Sequence, residues 1–432
     1  MREALQQTVQ NLWAHKLRSF LTMFGIAWGI VSVVILSATG EGFREGNEKV
    51  LRELGKNIAI TWGGRTSTQV GGERAGRRIF LTAQDARTLV EQSRLVRVAS
   101  PEIQRGGLRI KSPYNASANQ VHGIEPSYQD IRTLDIERGR QLNWDDERKV
   151  LRVAVVGADV VKQLFADRNP LGQSITLNGL AYTIVGTIRH KEQDSNYSGP
   201  DNEKIFVPFQ TMSRDFPRPD TPLGTVSQII VAPHQWVVDD LPRQVDGRQG
   251  RIRDIDWELE KDVRAVLARS KGFDPDDREA ISMWDTSVDS MMFGRMVQTM
   301  KDFFSIVGFV TLALGGLGVM NIMLIAVKER TREIGVRKAL GATTVDIMRQ
   351  FFLEGMLITA ISGTLGMSVA LGLCALVNAT APPTMRFSGM IFTPNAAVVT
   401  VAALAAVGIV TALYPARRAA ELPPVEALRY EM

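Results

Sequence analysis

Four apolar stretches, at residues 20–39, 303–327, 351–379 and 395–413, constrain this chain more than any other feature of it. Each is long enough to cross the hydrocarbon core of a bilayer as a helix, which takes about 20 residues. A backbone at that depth must satisfy its own hydrogen bonds, so spans of this kind are helical. Between the first and second stretches, residues 41–300 form a polar region too charged to enter a membrane. The pattern predicts an α-helical membrane protein with four transmembrane helices plus a large mixed α+β extracytoplasmic domain inserted between the first and second spans.

The net charge of +5 needs no nucleic acid as partner, because the cations gather beside the apolar stretches. Arg2, Lys16, Arg18, the cluster from Lys328 to Lys338, Arg349, Arg417 and Arg418 all fall on one side when the spans are threaded in order. The opposite loop, residues 380–394, holds Arg386 as its sole cation. Positive residues mark the cytoplasmic side, so both termini are expected in the cytoplasm, with the membrane lipids as the chain's surroundings. The expected segments are a surface helix at 1–18 with Trp13 at headgroup level, spans at 19–40, 301–327, 350–379 and 395–414, an external domain with helical stalks at 41–300, a cytoplasmic connector at 328–349, an outer loop at 380–394 and a tail at 415–432. A cleaved signal peptide is the rival reading of the first stretch. Its apolar core is usually shorter, and no clear cleavage site follows.

Within the external domain, strand patterns occur at 58–62, 96–100, 108–111, 153–156, 205–208 and 229–231, and helical patterns at 83–92, 157–165 and 257–270. Asn178-Gly179, between two β-rich runs, is a hairpin signal. The acidic residues Asp274, Asp276, Asp277 and Glu279 lack calcium-loop spacing and read as a solvated turn. The four histidines are scattered without metal-ligand spacing, so no metal site is expected. Cys374 is the only cysteine, which excludes an intrachain disulfide.

The connector VKERTREIGVRKALGATT, residues 327–344, holds more than topology-setting charge. Each of its cations costs about 2.5 to 3.5 kcal/mol at the centre of a bilayer, which places the segment outside. Ile334, Val336 and Leu340 lie among the charges, and Gly341-Ala342 closes the run as a helix end does. An amphipathic helix of this kind suits docking into a groove on a soluble partner. The run ERTREIGVRKALGA resembles the cytoplasmic coupling segment of MacB-type and FtsX-like ABC transporter permeases. Residues 121–147 (VHGIEPSYQDIRTLDIERGRQLNWDDE) and 153–188 (VAVVGADVVKQLFADRNPLGQSITLNGLAYTIVGTI) look like the periplasmic core domain of the MacB type, and the end from Tyr414 (YPARRAAELPPVEALRYE) is again similar to the family. Prolines 415, 423 and 424 in that end argue against one long helix.

The resemblance implies a permease subunit in the bacterial inner membrane that couples ATP hydrolysis by a partner ATPase to movement of its periplasmic domain, for export of a drug, peptide, toxin or lipoprotein. It implies contact with the ATPase through Glu329, Arg330, Arg332, Glu333, Ile334, Gly335, Arg337, Lys338, Ala339, Gly341 and Ala342. It also implies a homodimer or a paralogous heterodimer, a periplasmic membrane-fusion adaptor and an outer-membrane exit duct. The FtsX-like branch offers the alternative, a regulator of a cell-wall hydrolase. No G-x-x-x-x-G-K-[ST] loop occurs in the chain, so no catalytic residue is assigned and ATP and Mg are expected on the partner ATPase. Gly316-Leu317-Gly318 lies inside an apolar span and reads as helix packing. Three further positions are candidates. Glu354, the one acidic residue in the third stretch, is expected to anchor the connector through Arg349 or Lys338. Gly25 and Gly29 form a small-xxx-small pair for span packing or a dimer contact, and Asn321 is an intramembrane polar residue with the same two readings.

Overall fold

The computed structural model describes residues 16–54, 57–191, 193, 198–218, 220–246, 257–381, 383–384 and 386–423, so the surface helix expected before residue 16, Trp13 included, and the end of the tail lie outside the described residues. The chain divides into two units, one of Asn47–Phe293 and one of the segments before and after it.

The inserted unit is built on a sheet of twelve strands: β1 Ala59–Gly63, β2 Val96–Arg105, β3 Ile110–Lys111, β4 Ala116–Ser117, β5 Gln120–Ile124, β6 Ile136–Gly139, β7 Val153–Val156, β8 Ser174–Leu177, β9 Leu180–Ile188, β10 Lys204–Pro208, β11 Gln228–Pro233 and β12 Ile281–Asp285. Their order is β12-β1-β11-β2-β5-β10-β7-β9-β8-β3-β4, with β6 on β9. β5 with β10 and β7 with β9 are parallel, and the other pairs are antiparallel. Successive side chains of a strand point to opposite faces. Thus Ile205 and Val207 join one apolar cluster with Leu89, Val160 and Leu267, while Phe206 joins another with Ile60, Tyr128 and Ile230. Both faces are covered, which explains why β10 and β11 are buried along their whole length. At the β8–β9 hairpin Asn178 and Gly179 both take positive φ, 48° and 89°, as a two-residue loop of type I′ requires.

The middle of the sheet also buries polar groups. Glu102 accepts hydrogen bonds from His122 Nδ1, from Tyr128 Oη at 3.3 Å and from Gln228 Nε2, and Arg132 Nη2 reaches Asp201 Oδ1 at 2.9 Å. Burial pushes the His122 imidazole below its ordinary range, with Glu102 opposing. Asp277 corrects the expectation of a solvated turn. Its buried carboxylate accepts the Ser67 N–H and hydroxyl, both at 2.7 Å, and so pins the loop beyond β1.

Four helices are long and apolar enough to cross a membrane: Lys16–Leu54, of which Met23–Val50 is the candidate span, Thr286–Glu329, Thr344–Thr380 and Pro394–Glu421, hereafter the first to fourth spans, the first two of which continue past the limits of the other unit. Apolar burial gives little drive between helices in lipid, so close backbone approach at small residues has to hold them. A Cβ on Gly25 would lie 3.2 Å from Gly315 Cα, one on Gly29 3.1 Å from Leu312 Cα, and one on Gly366 2.8 Å from Ala27 Cα. The first span is therefore seated against the second and the third, and the Gly25/Gly29 pair serves packing within one chain. The fourth span meets the second at Gly316 and Thr411 and the third at Gly355 and Ala412. The outer loop lies along the first span, where Ser388 N–H donates to Gly42 O at 3.0 Å and Ile391 N–H to Ala38 O at 3.1 Å.

Two boundaries differ from those read in the sequence. The third span starts at Thr344, because Thr343 and Asp346 form a capping box. The fourth span continues through Pro415 to Glu421. Its small face, Ala412, Ala416, Ala419 and Ala420, stays buried beyond the proline, and that packing outweighs the one backbone bond lost.

Two predictions follow from these contacts. Gly315→Leu drives a side chain into a backbone contact that a Cβ alone would narrow to 2.6 Å, at Ile26 N. It should cost about 1–3 kcal/mol and lower the unfolding temperature in detergent. Gly372→Leu, where nothing lies within 4 Å of the added carbon, should leave it unchanged. Equal effects of the two would remove the packing argument.

In the inserted unit, Glu147 Oε1 accepts the Gln210 N–H at 3.0 Å while its buried Oε2 has no hydrogen-bond partner among the described residues. Burial pushes its carboxyl up to about 7 from an ordinary 4.5, with Glu125 adding to the rise and the Gln210 and Phe209 N–H groups opposing it. Between those two values the folded chain binds more protons than the unfolded one, so this group makes stability fall as pH rises. From pH 5 to pH 8 the wild type should lose on the order of 2 kcal/mol relative to Glu147→Gln. Parallel pH–stability curves for the two proteins would contradict this.

Candidate coupling site at the membrane connector

Three residues after the second span's last buried apolar residue, Val327, the helix breaks at Arg330, and a short helix, Thr331–Ala339, follows. The break turns the chain where its cations can no longer continue a membrane span. At its far end, Gly341 N–H donates to Lys338 O at 3.1 Å and Ala342 N–H to Arg337 O at 3.0 Å, while Gly341 takes φ 99°. This is a Schellman ending, which needs a left-handed residue and so favours glycine there. The capping box of Thr343 and Asp346 then starts the third span, where Thr343 N–H donates to Asp346 Oδ2 at 3.1 Å and Asp346 N–H to Thr343 Oγ1 at 3.2 Å. The sequence GATT thus stops one helix and starts the next with no slack between them.

The connector helix is fastened on its inner side. Ile334, 2% exposed, joins the apolar core with Val327, Ile347 and Phe351, and Gly335 is buried beside it. Arg330 Nη1 lies 3.4 Å from Glu354 Oε2, and both side chains are largely buried. Arg337 Nη1 donates to Gln350 Oε1 at 2.7 Å, and its Nη2 to Glu333 Oε1 at 2.7 Å. Lys338 Nζ donates to Ala420 O at 2.5 Å and Leu422 O at 2.9 Å, placing a cation on the carbonyls that end the fourth span. Arg330, Arg337 and Lys338 therefore tie the connector to the third and fourth spans.

The outer side is different. Glu329, Arg332, Ala339 and Gly341 are exposed, Ala342 is half-buried, and Glu333 is exposed while bonded to Arg337. Among them stand three large apolar side chains facing away from the core: Val336 at 42%, Leu340 at 83% and Val345 at 64% exposure. The expected contact list thus divides. Ile334, Gly335, Arg330, Arg337 and Lys338 serve the bundle, Glu329, Arg332, Ala339 and Gly341 form the accessible edge, and Leu340, which is not in that list, stands among them. Val345 was not among the sequence candidates, because its place opposite the connector becomes visible only once the third span is known to begin at Thr344. Glu354 meets Arg330, not Arg349 or Lys338 as expected: Lys338 is engaged by the end of the fourth span, and Arg330 stands at the helix break facing Glu354. Asn321 points outward from the second span.

Residues 19–245 match the family described as MacB-like periplasmic core domain, and residues 305–424 the family described as FtsX-like permease C-terminal. The macrolide export ATP-binding/permease protein MacB of Bdellovibrio bacteriovorus is 30% identical over 436 residues, covering 100% of this chain and 62% of that protein. Its namesake in Agrobacterium fabrum is 33% identical over 434 residues, 99% of this chain and 60% of that protein. The chain thus spans a little over half of the length of these relatives. The crystal structure of the periplasmic region of MacB from Actinobacillus actinomycetemcomitans aligns with 56% of this chain and 94% of its own, at 19% identity and a TM-score of 0.40.

Proposed function

Because this chain belongs to the MacB-like family, with an FtsX-like permease C-terminal region, we propose that it is the membrane subunit of an ABC transporter and that its connector carries the work of a cytoplasmic ATPase to the periplasmic domain. The observation that supports this reading is the apolar edge formed by Val336 and Leu340 of the connector, which is held from behind by three polar contacts, together with Val345 at the start of the third span. An exposed apolar edge rimmed by charge is what a docking helix offers a groove. ATP and Mg belong to the partner in this reading, since the sequence has no phosphate-binding loop. The connector and both termini are then cytoplasmic and the inserted unit is periplasmic, in a bacterial inner membrane. The cargo is a drug, peptide, toxin or lipoprotein moved on the outer side, with a membrane-fusion adaptor and an outer-membrane duct completing the route.

Docking and transmission fall on different residues. Leu340→Asp puts a charge into the docking edge without touching the core, and should weaken ATPase binding about tenfold or more. Glu354→Gln should keep ATPase affinity within about twofold while uncoupling hydrolysis from transport, because the Arg330 contact loses its charge partner. Affinity and transport measured on both variants check the assignment. Unchanged binding by Leu340→Asp removes the edge as a docking site, and equal binding losses in both variants remove the anchoring role of Glu354.

The subunit works as a dimer in this proposal, paired along the second span. Met296, Met300, Phe303, Val307, Val310, Leu314, Leu317 and Asn321 are all exposed and alternate by four and three residues, the seam of a two-stranded coil. Asn321 has no hydrogen bond among the described residues, and an amide facing lipid is best satisfied by its counterpart on a second copy or a paralogue. In a Cys374→Ala background, Leu317→Cys should form a disulfide between copies in native membranes, and Val398→Cys, exposed on the fourth span, should not. The reverse pattern would move the seam elsewhere.

A further inference from the structure

The periplasmic unit holds two arginines that no carboxylate neutralises among the described residues. Arg105, at the end of β2, donates from Nε and Nη2 to Phe216 O at 3.0 and 2.9 Å. Arg218 donates from Nη2 to Gln104 O and Ser227 Oγ, each at 3.1 Å. These bonds hold the loop after helix Phe209–Asp215 to the sheet, and they use only part of each guanidinium. A guanidinium carries five N–H donors. Nη1 of Arg105, and Nε and Nη1 of Arg218, have no acceptor among the described residues. Both side chains line one cleft of about 20 Å³, with Ile103, Ser213, Phe216 and Leu223 among its walls.

Three further observations give this cleft the character of a receptor for an anion. Arg78, laid over the Phe80 ring at 5.2 Å, adds a third positive charge. Burial lowers the Arg105 guanidinium to about 10 with Arg218 adding to the effect, and burial and Arg78 lower Arg218 in turn, so the cations repel one another. Gln104, whose carbonyl receives Arg218, has a buried Nε2 without an acceptor among the described residues. At its rim, Leu223 stands 93% exposed between Pro222 and Gly224, the latter at φ 77°.

We propose that this cleft binds a carboxylate of a polypeptide on the outer side of the membrane, with an apolar residue next to that carboxylate packing on Leu223. The guanidiniums that line the cleft match the edge of a planar carboxylate, and Leu223, exposed at the rim beside them, suits an apolar side chain next to that carboxylate, a combination that a polypeptide offers and a free phosphate does not. The site recognises an acidic and apolar pair of residues on a partner polypeptide. It lies wholly within the inserted unit and is independent of the ATPase reading.

The test uses the full chain in nanodiscs and a fluorescent, amidated tetrapeptide, Gly-Leu-Glu-Gly, whose only peptide carboxylate is the glutamate side chain, with binding read by anisotropy. Replacing its glutamate by glutamine should weaken binding about tenfold or more, since a charged acceptor is exchanged for a neutral one. Arg218→Gln should abolish the difference between the two peptides, and Arg218→Lys should restore part of it. Leu223→Ser leaves the arginines and their bonds untouched. It should weaken Gly-Leu-Glu-Gly several-fold and leave Gly-Gly-Glu-Gly unchanged. Equal binding of the Glu and Gln peptides by the wild type overturns the proposal, whatever the fate of the arginine variants. Displacement of the peptide by inorganic phosphate at concentrations where acetate has no effect overturns the carboxylate assignment.

Discussion

The backbone contact between the first and second spans, where Gly25 faces Gly315, is the interaction on which the rest of the membrane unit depends. Lipid removes the usual reward for bringing apolar side chains together, so helices separate unless something closer than side-chain contact holds them. With the first span set in that seat, Gly366 of the third span can rest on Ala27, and the fourth span closes against the second and third through Gly316 and Gly355. The connector inherits this order. Arg330, Arg337 and Lys338 can find Glu354, Gln350 and the end of the fourth span because the bundle has already placed those groups.

The inserted unit solves a different problem by different means. Its sheet is covered on both faces, and its central strands bury Glu102, His122, Lys204 and Gln228 among apolar residues, with Arg132 and Asp201 buried beside them. Charges removed from water are costly unless each finds a partner, and here they are linked by hydrogen bonds among themselves and to Tyr128 and Gln228. Such a network fixes strand register more strictly than interchangeable apolar contacts do.

That difference also explains what could be read from the sequence. The four spans, the β8–β9 turn and the helix Ala83–Gln92 were legible because apolar length, an Asn-Gly pair and a helical spacing are local signals. β5 was missed, since Gln120, His122 and Gly123 do not resemble a buried strand until Glu102 is known to face His122. The continuation through Pro415 was missed for a related reason: a rule about one residue's backbone was overruled by the small residues packed on either side of it. At the connector, charge and periodicity identified the segment. They did not tell inward from outward. Ile334 and Leu340 are equally apolar as letters, and only the third and fourth spans decide that one is core and the other surface.

The way the connector is fastened has a consequence for how such a subunit can change. Its grip on the bundle relies on one capped carbonyl pair, one amide, one carboxylate and a left-handed glycine, all of them behind or at the end of the helix. Substitutions at Val336, Leu340 and Val345 therefore leave the membrane fold intact. On the docking role proposed for that edge, the identity of the protein that sits on the connector is free to drift, or to be engineered, without disturbing the bundle behind it.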